Sequence, residues 1–354
     1  MTDHRLRMTE VVAVDAERPG PAVIEQAAAI LRAGGLVAFP TETVYGLGAD
    51  ATNDAAVHAI FTAKERAQDD PLIVHIARAA DLAGVALDVP PLARSLAVRF
   101  WPGALTIVLH RHPAISPAVS AGLDTVAVRV PSHPVAHALL LAAGIPVAAP
   151  SANRFMRTSA TTAGHVVEDL DGRIDMVLDG GPATAGVEST VVAVEGEEVR
   201  ILRHGAITEE DLREALREGR EGTLQTDVAP HERRSPGMMS RHYAPRARLV
   251  YFTGPAERTL PAMLDALGKA VARGKRVGAF VRREDVLLLP AGILVEDAGP
   301  GDDLPGVARR MFAALRALDS RAAEVIVARQ FGREGLARAV HDRLTRAAAD
   351  IVSC

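Results

Sequence analysis

Five short polar clusters carry the residues of this chain that could do chemistry, and each follows or interrupts an apolar run. The first is Thr41, Glu42, Thr43 and Tyr45 in the stretch FPTETVYGLGAD (39–50), directly after Leu36-Val37-Ala38-Phe39. The second is Lys64-Glu65-Arg66 with Asp70 and, after Pro71-Leu72-Ile73-Val74, His75. Thr125, Arg129 and Ser132 form the third, and APSAN (149–153) with Thr158-Ser159 and Thr161-Thr162 forms the fourth. GVEST (186–190) is the fifth. Hydroxyls and backbone N–H groups at strand ends and helix starts fix phosphates, and Lys or Arg adds the charge. A small polar substrate such as a hydroxy amino acid asks for the same groups. Each cluster also has a plainer reading: a capped turn for Thr41–Thr43, a solvated helix end for Lys64-Glu65-Arg66, a satisfied core histidine for His75, and helix caps for Ser151 and Asn153.

Several familiar sites are absent. There is no G-x-x-x-x-G-K-[ST], and Gly46-Leu47-Gly48 lacks the third glycine of a dinucleotide fingerprint. H-E-x-x-H and G-x-S-x-G are missing as well. The one cysteine, Cys354, excludes an internal disulfide framework and a cysteine-built zinc site. Lysine occurs only at 64, 269 and 275, so a lysine is less expected here as surface filler, and Lys64 stands near the first cluster.

The elements that must position these clusters read as α/β. Helix is expected over 21–33, from Asn53 or Asp54 to Lys64, over 91–100 and over 134–143. Strands are expected at 36–39, 72–76, 105–109, 126–130, 147–149, 176–178, 190–194 and 199–202. From about 217 to 248 the apolar periodicity gives way to Gly, Glu, Arg, Pro and His, a linker by composition. Beyond it RLVYFTG, KRVGAFV, GILVEDAG and AEVIVAR read as strands of a small open α/β sheet. With 354 residues, 48% of them hydrophobic, two domains are favoured over one. A net charge of −4 and 3% aromatic residues argue against a nucleic-acid platform. The N-terminal stretch lacks a signal-peptide core and the longest uncharged run, 135–153, holds two prolines, so a cytoplasmic protein without a membrane span is expected.

Together the clusters resemble the threonylcarbamoyl-AMP synthase (YrdC-like) family in its longer form with a C-terminal extension. The residues that carry this are PTETVYGLG (40–48), KER with PLIVHI (64–76), WPGALTIVL (101–109), VAVRVPSHP (126–134), APSAN, STVV (189–192), LRHGAI (202–207) and SPGMMSRHYAP (235–245). The resemblance implies a catalytic domain over 20–207 with a twisted mixed sheet and flanking helices. It further implies a linker or lid over 208–247 and a small open, Rossmann-like α/β domain over 248–354. The implied reaction joins L-threonine, bicarbonate and ATP into threonylcarbamoyl-AMP and pyrophosphate. ATP would arrive with Mg2+, whose protein ligands the sequence does not name. A downstream threonylcarbamoyl transferase complex would use the product to modify adenosine 37 of tRNA, so tRNA would be an indirect partner. By motif, Thr43, His75, Arg129, the backbone of Ala149 and Ser189 would hold threonine. Lys64, Arg66, Asp70, Thr125, Ser151, Ser159, Arg203 and Tyr243 would hold ATP, Lys64 and Arg66 being the catalytic cations and Tyr243 folding back from the linker. The chain departs from the family pattern at Ala67 (Pro in the family), Asp70 (Asn) and Phe155-Met156 (Ser and Gly). Two alternatives are an RNA-binding protein of the same fold without catalysis, and a carbamoyl-adenylate enzyme that uses carbamoyl phosphate.

Overall fold

The computed structural model describes residues 8–219, 222–226 and 241–354. These divide into two compact units. The first takes the residues up to 155, 159–184 and 188–226, and the second takes 156–158, 185–187 and 241–354.

The first unit is built on a mixed sheet of β1 (Glu10–Ala13), β2 (Val37–Phe39), β3 (Gly46–Asp50), β4 (Ile73–His75), β5 (Ala86–Leu87), β6 (Leu105–Arg111), β7 (Thr125–Arg129), β8 (Val147–Ala148), β9 (Met176–Asp179), β10 (Thr190–Glu195), β11 (Glu198–Arg203) and β12 (Thr223–Gln225). Its order is β1-β9-β2-β3-β8-β4-β7-β6-β10-β11-β12, with β5 alongside β6. The helices are α1 (Pro21–Arg32), α2 (Asp54–Lys64), α3 (Pro91–Phe100), α4 (Pro134–Ala143), α5 (Ala163–Leu170) and α6 (Glu209–Gly219). Three of them open on proline, whose fixed φ suits the first helical turn and whose missing N–H costs nothing there. The Asn53 side chain accepts from the Ala56 amide at 3.2 Å to start α2, and Gly144, at φ 63°, ends α4.

The sheet is buried on both faces, as period-two alternation in β2 shows. Val37 and Phe39 join Ile24, Leu31, Leu139 and Leu178 in one core, while Ala38 joins Tyr45, Val57, Val74 and Val128 in the other. Half of FPTETVYGLGAD is a central strand rather than a turn, because β3 runs antiparallel to β2 and β8. Its glycines make room for neighbours: a Cβ on Gly48 would lie 2.8 Å from the Phe39 ring and 2.9 Å from Val147. Part of 208–247, the stretch expected as a linker or lid, forms regular structure. α6 buries Leu212 and Leu216, and β12 pairs with β11. Residues 235–240 of SPGMMSRHYAP lie outside the described residues.

The second unit holds a five-stranded sheet, parallel throughout, made of β13 (Arg248–Thr253), β14 (Val277–Val281), β15 (Leu294–Asp297), β16 (Val325–Arg329) and β17 (Asp350–Ser353) in the order β15-β14-β16-β13-β17. Helices α7 (Ala256–Ala272), α8 (Leu304–Ser320) and α9 (Ala337–Ala347) supply crossovers between parallel strands. Among the described residues no helix is long and apolar enough to cross a membrane.

Candidate active site

Register brings several of the scattered motifs to one edge of the first sheet. β4 and β7 are parallel and end together at His75 and Arg129. β6 runs antiparallel to β7, so it starts at that edge; β10 runs parallel to β6 and also starts there; β11 returns antiparallel and ends there at Arg203. β3 and β4 are both antiparallel to β8, so β3 begins at the opposite end, and the turn between β2 and β3 meets this edge through the side-chain bond of Arg129 to Thr43, while Gly46 bridges Ser151.

At this edge Thr41 shapes the turn. Its hydroxyl donates to the Val44 carbonyl at 2.6 Å, accepts from the Thr43 and Val44 amides, and lies 2.8 Å from the Thr43 hydroxyl. Thr43 in turn accepts from Arg129 Nη1 at 2.9 Å, and Arg129 Nε donates to the Gly103 carbonyl at 3.0 Å. Gly103 follows a cis Trp101–Pro102 bond, and its amide donates to Val130 at 2.8 Å, which ties the WPG turn to the end of β7. The third guanidinium nitrogen, Nη2, stands 2.7 Å from Glu42 Oε1. This is an ionic contact, because the angles leave Nη2 and both Glu42 oxygens short of a well-formed hydrogen bond. Burial pushes the Glu42 carboxyl up, but the charge and proximity of Arg129 outweigh it and hold it below the ordinary carboxylate range. His75 is fully enclosed, edge-on to Phe39, and its Nδ1 meets no partner. Burial first, then the Arg129 charge, drive its pKa down to about 3, so the ring is neutral near pH 7.

A second group of cations lies ahead of β4, around Asp70 and the Ser151 carbonyl, and is linked to Arg203 through the charge of Asp70. Lys64 is only 1% exposed, so it is not a solvated helix end; its ammonium donates to the carbonyls of Ser151 and Asn153, pinning the APSAN turn to the end of α2. Arg66 donates to the Asp70 and Pro71 carbonyls, pairs with the Asp70 carboxylate at 2.8 Å and lies 5.6 Å from the Phe155 ring centroid. Burial raises the Asp70 pKa, against the lowering pull of Arg66, Lys64 and Arg203. Ser159 donates to Glu188 at 2.6 Å. Ser189 shares a 2.7 Å hydrogen bond with Thr106 and accepts from Arg203, which also donates to the Ser189 carbonyl. Gly205 lets β11 approach this strand start: a Cβ there would lie 2.4 Å from the backbone of Glu188, Ser189 and Thr190.

Thus Thr43, His75, Arg129, Ser189 and Arg203 gather where β4, β7 and β11 end, and Lys64, Arg66, Asp70 and Ser151 form a second group ahead of β4, with Ser159 bonded to Glu188. The amide of Ala149 is committed to the Ile73 carbonyl at 2.8 Å. Two residues remain to be placed. Thr125 shares a face with Arg129 but begins the strand that Arg129 ends, about 13 Å away at strand spacing, and lines a cavity of about 590 Å³ with Asp88, His110, Asp124 and Glu195. Tyr243 is packed inside the second unit, 1% exposed, stacked on Phe312 at 5.6 Å and beneath the Arg343 guanidinium at 5.2 Å. Sequence reasoning gave no role to Glu42, Gly103, Thr106 or Glu188. All but Thr106 sit inside or beside a quoted cluster as the acceptor that each cation or hydroxyl needs, and Thr106 lies within WPGALTIVL.

The fold and rim define a two-unit α/β protein whose first unit gathers buried cations and hydroxyls for an anionic, polar ligand. Comparisons with known proteins make this specific. The Sua5/YciO/YrdC family profile, described as telomere recombination, matches residues 29–205, and the profile described as threonylcarbamoyl-AMP synthase, C-terminal domain, matches 207–349. A threonylcarbamoyl-AMP synthase of Bacillus subtilis is 43% identical over 92% of this chain and 92% of its own, and one from Pyrococcus abyssi is 39% identical over 92% and 93%. The crystal structure of P. abyssi Sua5 complexed with L-threonine superposes with a TM-score of 0.88 at 38% identity, covering 98% of this chain and all of that one. The chain belongs to the threonylcarbamoyl-AMP synthase family, and its expected α/β class, with a mixed N-terminal sheet and a small open C-terminal sheet, holds.

Proposed function

We propose that this protein is an L-threonylcarbamoyladenylate synthase, a nucleotidyltransferase that makes threonylcarbamoyl-AMP and pyrophosphate from L-threonine, bicarbonate and ATP. The observation that carries the reading is the burial of four cations, each at most 7% exposed: Arg129 and Arg203 at the strand ends with Thr43, His75 and Ser189, and Lys64 and Arg66 ahead of β4, linked to Arg203 through the charge of Asp70. Burying a cation costs several kcal/mol unless it meets an anion. A triphosphate and an amino-acid carboxylate supply such anions.

In this reading the free amine of threonine combines with bicarbonate, with loss of water, to become a carbamate, and a carbamate oxygen displaces pyrophosphate from the α-phosphorus of ATP. Protein nucleophiles are not needed; positioning and charge neutralisation do the work. Arg129 clamps the threonine carboxylate, held square by Thr43 and the Gly103 carbonyl. Thr43, neutral His75, the Ala149 backbone and Ser189 complete the amino-acid side. Lys64, Arg66 and Arg203, with Ser151 and Ser159, face the nucleotide, and Asp70 balances Arg66 until phosphate arrives.

Mg2+ enters with ATP as part of the substrate. Among the described residues no group of three or more His, Cys, Asp or Glu could hold a metal, which suits an ion held chiefly by phosphates and water. Such an ion neutralises phosphate charge. We also assign the product to a transferase acting on tRNA, in the cytoplasm. Pyrophosphate release tests the reading against its carbamoyl-phosphate alternative: it should require threonine plus bicarbonate, and release sustained by carbamoyl phosphate without them would reject it.

A further inference from the structure

We propose that Glu42 recognises the α-ammonium group of the amino acid, so that Glu42 and Arg129 form a paired receptor for a zwitterion. The inference rests on the amino-acid site proposed above. Two guanidinium nitrogens of Arg129 donate to Thr43 and the Gly103 carbonyl, and the third makes an ionic contact with Glu42. Glu42 is not so fully occupied. An ionised carboxylate offers about four acceptor positions, yet neither buried oxygen of Glu42 has a well-formed hydrogen bond, although Arg129 stands 2.7 Å away.

The groups facing Glu42 explain what it awaits. Arg129 comes from the end of β7; His75, from the end of β4, is neutral; His133, at the N-cap of α4, is likewise held toward its neutral form by burial. One cation therefore faces one carboxylate, and the backbone amides of Glu42 and Ser132 are the other groups turned to the carboxylate. An added cation finds there an acceptor with unused capacity, already stripped of water. In an α-amino acid the carboxylate and ammonium hang from one carbon, so adjacent opposite charges in the ligand match adjacent opposite charges in the protein. Binding the zwitterion adds no net charge to a buried site, which a lone carboxylate or a lone amine would do.

The test compares L-threonine with (R)-3-hydroxybutyrate, which keeps the carboxylate, hydroxyl and methyl but lacks the amine. Both are titrated calorimetrically into the full-length protein and into Glu42→Gln. The preference of the wild type for threonine should shrink by about tenfold or more in the variant, the scale of a hydrogen bond to a charged group, with hydroxybutyrate binding unchanged or tighter. Equal weakening of both ligands would reduce Glu42 to a prop for Arg129 and overturn the proposal, as would an unchanged preference. If Glu42→Gln fails to fold, the wild type still decides: threonine affinity should fall as pH rises through the pKa of its amine while hydroxybutyrate affinity does not, and parallel pH profiles would overturn the proposal. A wild type that binds no threonine would reject both this assignment and the function it rests on, whereas threonine binding with equal losses rejects Glu42 alone.

Discussion

His75 shows how far a single residue can be read. In the sequence it is a histidine in an apolar strand, and a packed core histidine is the plainer reading. In the fold it is buried as that reading requires, but beside Arg129 and Glu42 and with Nδ1 lacking a partner, which a core histidine avoids. Its pKa carries a stability consequence with a definite sign. The unfolded ring takes up a proton near about pH 6.5, while the folded ring resists until about 3. The unfolded state thus gains protons first, so this contribution is whole above about pH 6.5 and is lost as pH falls towards about 3. Urea unfolding at pH 7.5 and 5 should show a loss of stability in the wild type that is smaller in His75→Gln; an equal loss would deny the shift. Arg129, Arg66 and Lys64 were legible as residue types. Their partners were not, because Glu42, Asp70, Gly103 and the Ser151 and Asn153 carbonyls come from other parts of the chain or from backbone groups whose direction no local pattern fixes.

At the scale of elements, strands and helices with strong periodicity or clear stops were legible: α1 with its glycine stop, α4 with Pro134 and Gly144, and the β10–β11 hairpin around Gly196. β3 was not, since GLGAD has the composition of a turn and becomes a central strand only because Phe39 and Val147 fill the space its glycines leave. α5 and α6 escaped notice for a related reason: each is short, and α6 shows only Leu212 and Leu216 to the core. Gly205 belongs to this scale because it sets the spacing of β11 against the start of β10. Gly205→Ala should cost about 1–3 kcal/mol, the usual range for overpacking, and raise the KM for threonine through Ser189 and for ATP through Arg203. Denaturant unfolding with steady-state kinetics checks both, and a neutral effect would contradict the close approach. Tyr243→Ala should destabilise the second unit by about 3–5 kcal/mol, as for a large buried aromatic, measured by thermal unfolding of the full chain.

At the scale of the whole molecule, the two-domain α/β class was legible from the alternation of apolar segments, but the strand order was not, since periodicity says which face a residue takes and nothing about which strand lies beside it. The order is what brings several scattered motifs to one rim, by making β4, β7 and β11 end where β6 and β10 begin. A net charge of −4 gives no general attraction for tRNA, so a tRNA titration should show weak binding without a steep salt dependence. The account turns on whether that rim joins threonine to AMP. Mass spectrometry of reactions containing ATP, Mg2+, bicarbonate and one amino acid at a time tests it most directly: threonylcarbamoyl-AMP should form with threonine and vanish in Arg66→Ala and Arg129→Ala, whereas full product from both variants, or none from the wild type, would contradict it.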